Sequence, residues 1–208
     1  MRLAELKTLI SYQTMLLAGF ALLSSALLGL ADYNTRDVIK QRQEEDLRAS
    51  LAQVIPDSLY DNNLLADAAY IDSKEDKVGS DRTLVHLGRK RGKVTAVAFR
   101  LIAPDGYSGA IDLIMGVDKD GTVLGVRVIA HAETPGLGDK IEASKSDWIQ
   151  NFGGHSLQDL TIEQWAVKKD GGVFDQFSGA TITPRAIVKA VHQGLKFFEN
   201  HRSELSAA

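Results

Sequence analysis

Between Thr8 and Ala31 the chain carries no charged side chain, and leucine dominates, with Leu16, Leu17, Leu22, Leu23, Leu27 and Leu28 among its apolar residues. About 20 apolar residues in a helix cross the hydrocarbon core of a bilayer. The run therefore predicts one membrane-spanning helix. Helical spacing continues past it: Val38, Ile39, Leu47, Leu51, Val54 and Ile55 keep one side apolar until Pro56 ends the pattern. A cleaved signal peptide is the alternative, with Gly29-Leu30-Ala31 as a small-residue cleavage site. The anchor is the better reading, because the run is long for a signal sequence and the helical pattern does not break after it. Arg2 and Lys7 precede the span and Arg36, Lys40 and Arg42 follow it, so charge gives no firm orientation. The expected organisation is a tail and anchor over 1–31, a helical stalk over 32–56 and a domain over 57–208.

That domain has ordinary material to fold with. The whole chain is 44% hydrophobic and 25% charged, with a formal net charge of −3. No nucleic-acid partner is expected from that balance. The one basic cluster, Arg89-Lys90-Arg91-Gly92-Lys93, lies between two strand-like runs and reads as a solvated hairpin tip. Cysteine is absent. This excludes disulfides, a thiol nucleophile, a cysteine-held iron–sulfur cluster and a cysteinyl cofactor link.

Strand patterns follow one another with short turns. Thr83–Leu87 and Val94–Ile102 flank the basic turn, and Ala110–Val117 and Val123–Ala130 flank Asp118-Lys-Asp-Gly-Thr122. Asp-Gly between alternating runs signals a hairpin. Asp118 and Asp120 superficially resemble a calcium loop, but the later ligands are missing. A helix is expected within Gly138–Phe152, a strand over Ile162–Val167 and a closing helix over Thr183–His201. Successive hairpins with helices packed on them make the fold class α+β with an antiparallel sheet.

Two stretches carry candidate chemistry. In Asp175-Gln-Phe-Ser-Gly-Ala-Thr181-Ile-Thr-Pro184, small and hydroxyl-bearing residues run into a helix start. Thr183 is the expected cap and Pro184 the expected first helical residue. Free backbone N–H groups and the helix dipole favour an anion there. In His131-Ala-Glu133-Thr134-Pro135-Gly136-Leu137-Gly138-Asp139-Lys140, a proline and two glycines force a turn directly after a strand. Such a turn suits a flat aromatic ligand, with Gly136 letting backbone approach, Leu137 offering an apolar face, and Glu133 and Thr134 offering edge contacts. His131-x-Glu133 opens like a zinc deaminase signature, but the cysteine ligands are absent. No His-Glu-x-x-His and no strand-borne G-x-G-x-x-G occur, and Ser178 lacks a hydrolase context. No residue is assigned as catalytic and none as a metal ligand.

Ser178-Gly179-Ala180-Thr181, with Asp175 three residues earlier, resembles the flavinylation motif of the FMN-binding domain family. In that family a flavin transferase joins FMN to the last hydroxyl of the motif through a phosphoester, using FAD and magnesium. The resemblance implies Thr181 as acceptor, with Asp175, Ser178, Gly179 and Ala180 as the recognised motif. Together with the His131–Lys140 stretch and the anchor, nearly the whole chain resembles the G-subunit family of the Rnf (Rsx) electron transport complexes. This implies a covalent-FMN electron carrier. Its complex would couple electron transfer between ferredoxin and NAD to ion movement; in the Rsx form it would keep a redox-sensing regulator reduced. The other subunits of the complex and a flavin transferase are the implied partners. The implied location is a single pass through the bacterial inner membrane, with the C-terminal domain in the periplasm. The C subunit of the sodium-translocating NADH:quinone reductase shares the attachment motif and is the nearest rival. A flavin-free anchored scaffold is the rival from another class.

Overall fold

The computed structural model describes residues 10–207. Arg2, Lys7, Thr8 and Leu9, used above for orientation and for the start of the apolar run, lie outside the described residues. The chain divides into two compact units, Met1–Asp46 and Leu47–Ala208.

The first unit is helical. Helix α1 runs unbroken over Ile10–Val54. Its apolar stretch reaches a mean hydropathy of 2.0, long and apolar enough to cross a membrane. Leu16, Phe20, Leu23 and Leu27 are exposed, which in water would be unfavourable and in lipid is not. Val38 and Ile39 are exposed too, so the apolar side of this stretch has no partner within the unit.

The second unit is built on a five-stranded sheet in the order β1-β2-β3-β4-β5. The strands are β1 (Ala68–Asp72), β2 (Arg82–Lys90), β3 (Lys93–Ala103), β4 (Ile111–Asp118) and β5 (Val123–Ala130), each antiparallel to the next. The basic cluster forms the β2–β3 turn. Lys90 pairs with Lys93, and Arg91 and Gly92 have φ of +53° and +76°, the two-residue turn whose twist matches antiparallel strands. At the β4–β5 turn, Asp118 accepts the Asp120 and Thr122 N–H groups at 2.8 and 2.9 Å, so this carboxylate closes a hairpin.

Side-chain alternation gives the sheet two apolar faces. Val97, Phe99 and Leu101 of β3, with Leu113, Met115 and Val117 of β4, point to the face covered by α2 (Ile182–Ala207). Ile187, Val191, Leu195, Phe197 and Phe198 supply that helix's buried side, and Phe197 meets Phe99 edge-on with ring centroids 5.0 Å apart. Ala96, Ala98 and Ile114 point to the other face, where Leu51 and Val54 at the end of α1, with Ile55 and Leu64, cover them. Here the sheet offers small residues. Gly116 pairs with Gly125 across β4 and β5. A Cβ on Gly116 would lie 2.1 Å from the Val54 carbonyl oxygen, so helix backbone rests directly on sheet backbone.

Two expectations differ from the structure, and one strand had no sequence signal. That strand is β1, a short edge strand whose only buried side chain is Ile71, too few apolar positions to show alternation. The Gly138–Phe152 helix is instead two 3-10 turns, Gly138–Ile141 and Asp147–Phe152. Ser146 divides them, its hydroxyl accepting the Trp148 N–H at 3.1 Å as an N-cap. Ile162–Val167 is not a strand. Gln164 and Trp165 donate back to the Thr161 carbonyl at 3.0 and 3.2 Å, which curls the segment, and only a single bridge joins Val167 to Phe174.

Gly116→Ala forces a methyl into backbone that has no room to yield. We expect a loss of about 1–3 kcal/mol, read as a lower thermal unfolding temperature of the detergent-solubilised chain. Gly125→Ala, whose nearest contact would be 3.3 Å, should cost less. Equal stability of Gly116→Ala and wild type would contradict this packing.

Candidate functional site

Both sequence stretches fold as tight turns. In the first, the Leu137 N–H donates to the Thr134 carbonyl at 3.1 Å, Pro135 occupies the second position and Gly136 the third with φ +78°. In the second, the Ala180 N–H donates to the Phe177 carbonyl at 3.2 Å and Gly179 takes the third position with φ +80°. These are type II turns, which need a left-handed third residue and so favour glycine. The turns meet: Leu137 Cδ2 lies 3.7 Å from where a Cβ on Gly179 would be. Leu137 remains 44% exposed there, an apolar side chain turned partly to solvent beside the small-residue loop.

The loop leads into α2 differently from the sequence expectation. The helix begins at Ile182, and the Thr181 carbonyl accepts the Arg185 N–H at 3.5 Å. Thr181, not Thr183, therefore stands at the N-cap. Pro184 is the third helical residue, still among the positions whose N–H would have no intrahelical acceptor, so proline is tolerated. Thr183 is fully buried, and its hydroxyl donates to Glu133 Oε2 at 2.5 Å. Glu133 is buried as well, and its Oε1 accepts the Ser108 N–H at 3.1 Å. The structure thus engages both carboxylate oxygens within the fold rather than at an open ligand edge.

Around this centre, further contacts fix the two stretches. Trp148 Nε1 donates to the Asp175 carbonyl at 2.7 Å, and its ring meets Phe177 edge-on at 5.2 Å. The Asp175 carboxylate pairs with Lys168 at 2.7 Å, and Arg185 holds Asp170 through two contacts of 2.5 and 2.6 Å. The Arg185 guanidinium keeps the Asp170 carboxyl below its usual range. Ser178 and Gly179 are exposed and Thr181 and Ala180 half-buried. Among the described residues the Thr181 hydroxyl makes no hydrogen bond.

Behind the first turn, His131 is a hydrogen-bonding residue. Its Nδ1 accepts the Glu133 N–H at 3.0 Å, so its Nε2 carries the proton toward Glu142 Oε1 at 3.0 Å. Lys145 then bridges Glu142 and buried Asp139 at 2.6 and 2.9 Å. Lys145 and then His131 hold the Glu142 carboxyl below its ordinary range. No cluster of three or more potential metal ligands occurs among the described residues.

These features suit FMN. A free hydroxyl sits at a helix N-terminus whose first N–H groups can face a phosphate. Leu137, in the first of the two turns that meet here, and Ile182, at the start of α2, are exposed apolar side chains. The fold and site define an FMN-binding domain carried on an apolar N-terminal helix, and residues 106–196 match the FMN-binding domain family. Residues 2–54 match the RnfG N-terminal region. The chain belongs to the G-subunit family of the ion-translocating oxidoreductase complexes. It is 52% identical to the family member of Cereibacter sphaeroides, the alignment covering 93% of this chain and 86% of the relative. The corresponding figures are 48%, 92% and 90% for Shewanella oneidensis, and 44%, 95% and 94% for Vibrio cholerae. The crystal structure of NqrC from Shewanella oneidensis shares the fold, with a TM-score of 0.51 at 23% identity over 74% of this chain and 75% of that one.

Sequence reasoning missed Ser108, Trp148 and the partner of Thr183. Thr183 was within reach: it shares the helical stripe of Ile187 and Val191, so a core-facing hydroxyl needing an acceptor was implied.

The Lys145 ammonium, followed by the Gly136 backbone, depresses the Asp139 carboxyl. A depressed folded value gives stability that is present above the unfolded value of about 3.9 and is lost as pH falls through the folded one. Asp139→Asn should therefore lower the melting temperature at neutral pH, and the gap from wild type should close on acidification. A gap unchanged at low pH would contradict the pairing.

Proposed function

We propose that this protein is a membrane-anchored, covalent-FMN electron carrier of an ion-translocating oxidoreductase complex, with Thr181 as the attachment residue. The observation that carries the reading is the meeting of the two type II turns. It sets an apolar side chain, Leu137, beside Gly179 and within the same loop cluster as an unbonded hydroxyl at a helix N-terminus. Relatives at 44–52% identity are named as the G subunit of such a complex, which favours this reading over the quinone-reductase subunit and over a flavin-free scaffold.

In the attachment step, Thr181 Oγ1 attacks the FMN-side phosphorus of FAD. The new Oγ1–P bond forms as the pyrophosphate P–O bond breaks. AMP leaves, and the threonine proton passes to the transferase. Asp175, Ser178, Gly179 and Ala180 form the segment that this enzyme recognises. The phosphoester retains a negative charge, which the N-terminus of α2 stabilises by roughly 0.3–1 kcal/mol. That is too little to retain a ligand, so the covalent bond does so. When bound, FMN supplies the redox chemistry. Leu137 would pack on the ring, Gly136 would allow its close approach, and Thr134 would offer an edge contact. Glu133 supports these contacts from behind.

The donor and acceptor pair is ferredoxin and NAD, with ion movement coupled to transfer; in an Rsx-type setting the electrons keep a regulator reduced. The anchor crosses the bacterial inner membrane once and the C-terminal unit lies in the periplasm.

Thr181→Val keeps the shape and removes the nucleophile. Co-expressed with a competent flavin transferase, it should insert normally yet show no fluorescent band under ultraviolet light on a denaturing gel, whereas wild type fluoresces. Covalent fluorescence retained by the variant would overturn the assignment. Leu137→Asp should retain the flavin and shift its midpoint potential. An unchanged spectrum and potential would remove Leu137 from the ring's surroundings.

A further inference from the structure

Glu133 is an unusual residue for a buried position, because it forms no ion pair among the described residues. Its carboxylate instead gathers three separate segments. Oε1 accepts the N–H of Ser108 in the β3–β4 loop, and Oε2 accepts the hydroxyl of Thr183 in the first turn of α2. Glu133 itself opens the Thr134–Leu137 turn. The surrounding chain makes room for it. A Cβ on Gly138 would lie 2.6 Å from Oε2, and one on Gly106 would lie 3.0 Å from Oε1. Thr183 is two residues from the acceptor, in the same helical turn.

We propose that Glu133 is a positioning residue for flavin attachment. By holding Thr183 and Ser108 together, it fixes the first turn of α2 against the two loops and so holds the Thr181 hydroxyl in one orientation for transfer. The inference rests on the covalent reading above. Among the described residues the Glu133 carboxylate hydrogen-bonds Ser108 and Thr183, and it makes no hydrogen bond to Thr181 or to the segment from Asp175 to Ala180 that a transferase reads. Its loss should therefore slow the transfer step and leave recognition intact.

The test measures flavin transfer from FAD to the purified full-length chain by a flavin transferase with magnesium, at varied chain concentration. Glu133→Ala should lower kcat on the order of tenfold to a hundredfold, the scale of a small misplacement of a reacting atom, with KM little changed. Glu133→Gln, which keeps the shape and one acceptor oxygen, should recover most of the rate. Thr183→Val should slow transfer in the same way. The double variant Glu133→Ala with Thr183→Val should be no slower than Glu133→Ala alone, since both remove one interaction. In the flavin-free chain, amide exchange at Ser108 and at Ile182 and Thr183 should speed up in Glu133→Ala and Thr183→Val. If Glu133→Ala does not fold, the comparison of Thr183→Val with Glu133→Gln decides by the same readouts. A wild-type kcat in Glu133→Ala, or a rise in KM alone, would overturn the proposal, as would multiplying effects in the double variant. A wild-type chain that accepts no flavin would instead overturn the covalent reading itself.

Discussion

The second unit depends on one constraint: its central strands are apolar on both sides. In β3 and β4 nearly every side chain from Ala96 to Phe99 and from Leu113 to Val117 is buried. An antiparallel meander with such strands cannot leave either face in water. The chain answers with its two ends. Helix α2 covers the face of Phe99, Leu101 and Met115, and the last turns of α1 cover the face of Ala98 and Ile114. The two coverings are of different kinds. The α2 face uses large side chains. The α1 face uses Gly116 opposite Gly125, where backbone meets backbone.

The site follows from where α2 must begin to cover its face. Its first turn arrives beside the loop joining β3 to β4 and the loop leaving β5, and Glu133 ties all three together. Two type II turns then bring Leu137 to Gly179. Further contacts hold the site's loops: Trp148 on the Asp175 carbonyl, Phe177 against Trp148, and the His131–Glu142–Lys145–Asp139 network, which runs from buried Asp139 out to exposed Lys145. What remains toward solvent is small, apolar or hydroxyl-bearing. That division, polar groups satisfied behind and a few free groups in front, is what a preorganised ligand surface requires.

Much of this was legible in the sequence because the signals were local. Alternation in β2 to β5, the Asp-Gly hairpin, the Pro-Gly turn and the helix ahead of Phe198 all lie within short windows. The errors arose where a particular side-chain partner, near or distant, decides. Ser146 splits the segment after Gly138 into two 3-10 turns, a local competition that apolar spacing does not reveal. Ile162–Val167 has strand-like composition, but Trp165 is recruited into a ring cluster with Phe174 and His192, and the backbone curls to deliver it. Thr183 looked like a cap because hydroxyls before proline usually are. Its actual partner lies 50 residues earlier in the chain, so only the folded arrangement shows it. Motifs name the candidate residues, Glu133 among them, but the contacts Glu133 makes with Ser108 and Thr183 join distant segments and are visible only in the fold.

The central claim is that the loop entering α2 presents Thr181 for covalent attachment of FMN. Peptide mass spectrometry on chain made with a flavin transferase tests it most directly. The account predicts that the peptide ending at Arg185 carries the mass of FMN less one water, and that fragment ions place it on Thr181. An unmodified peptide, or an adduct on Ser178 or Thr183, would contradict it.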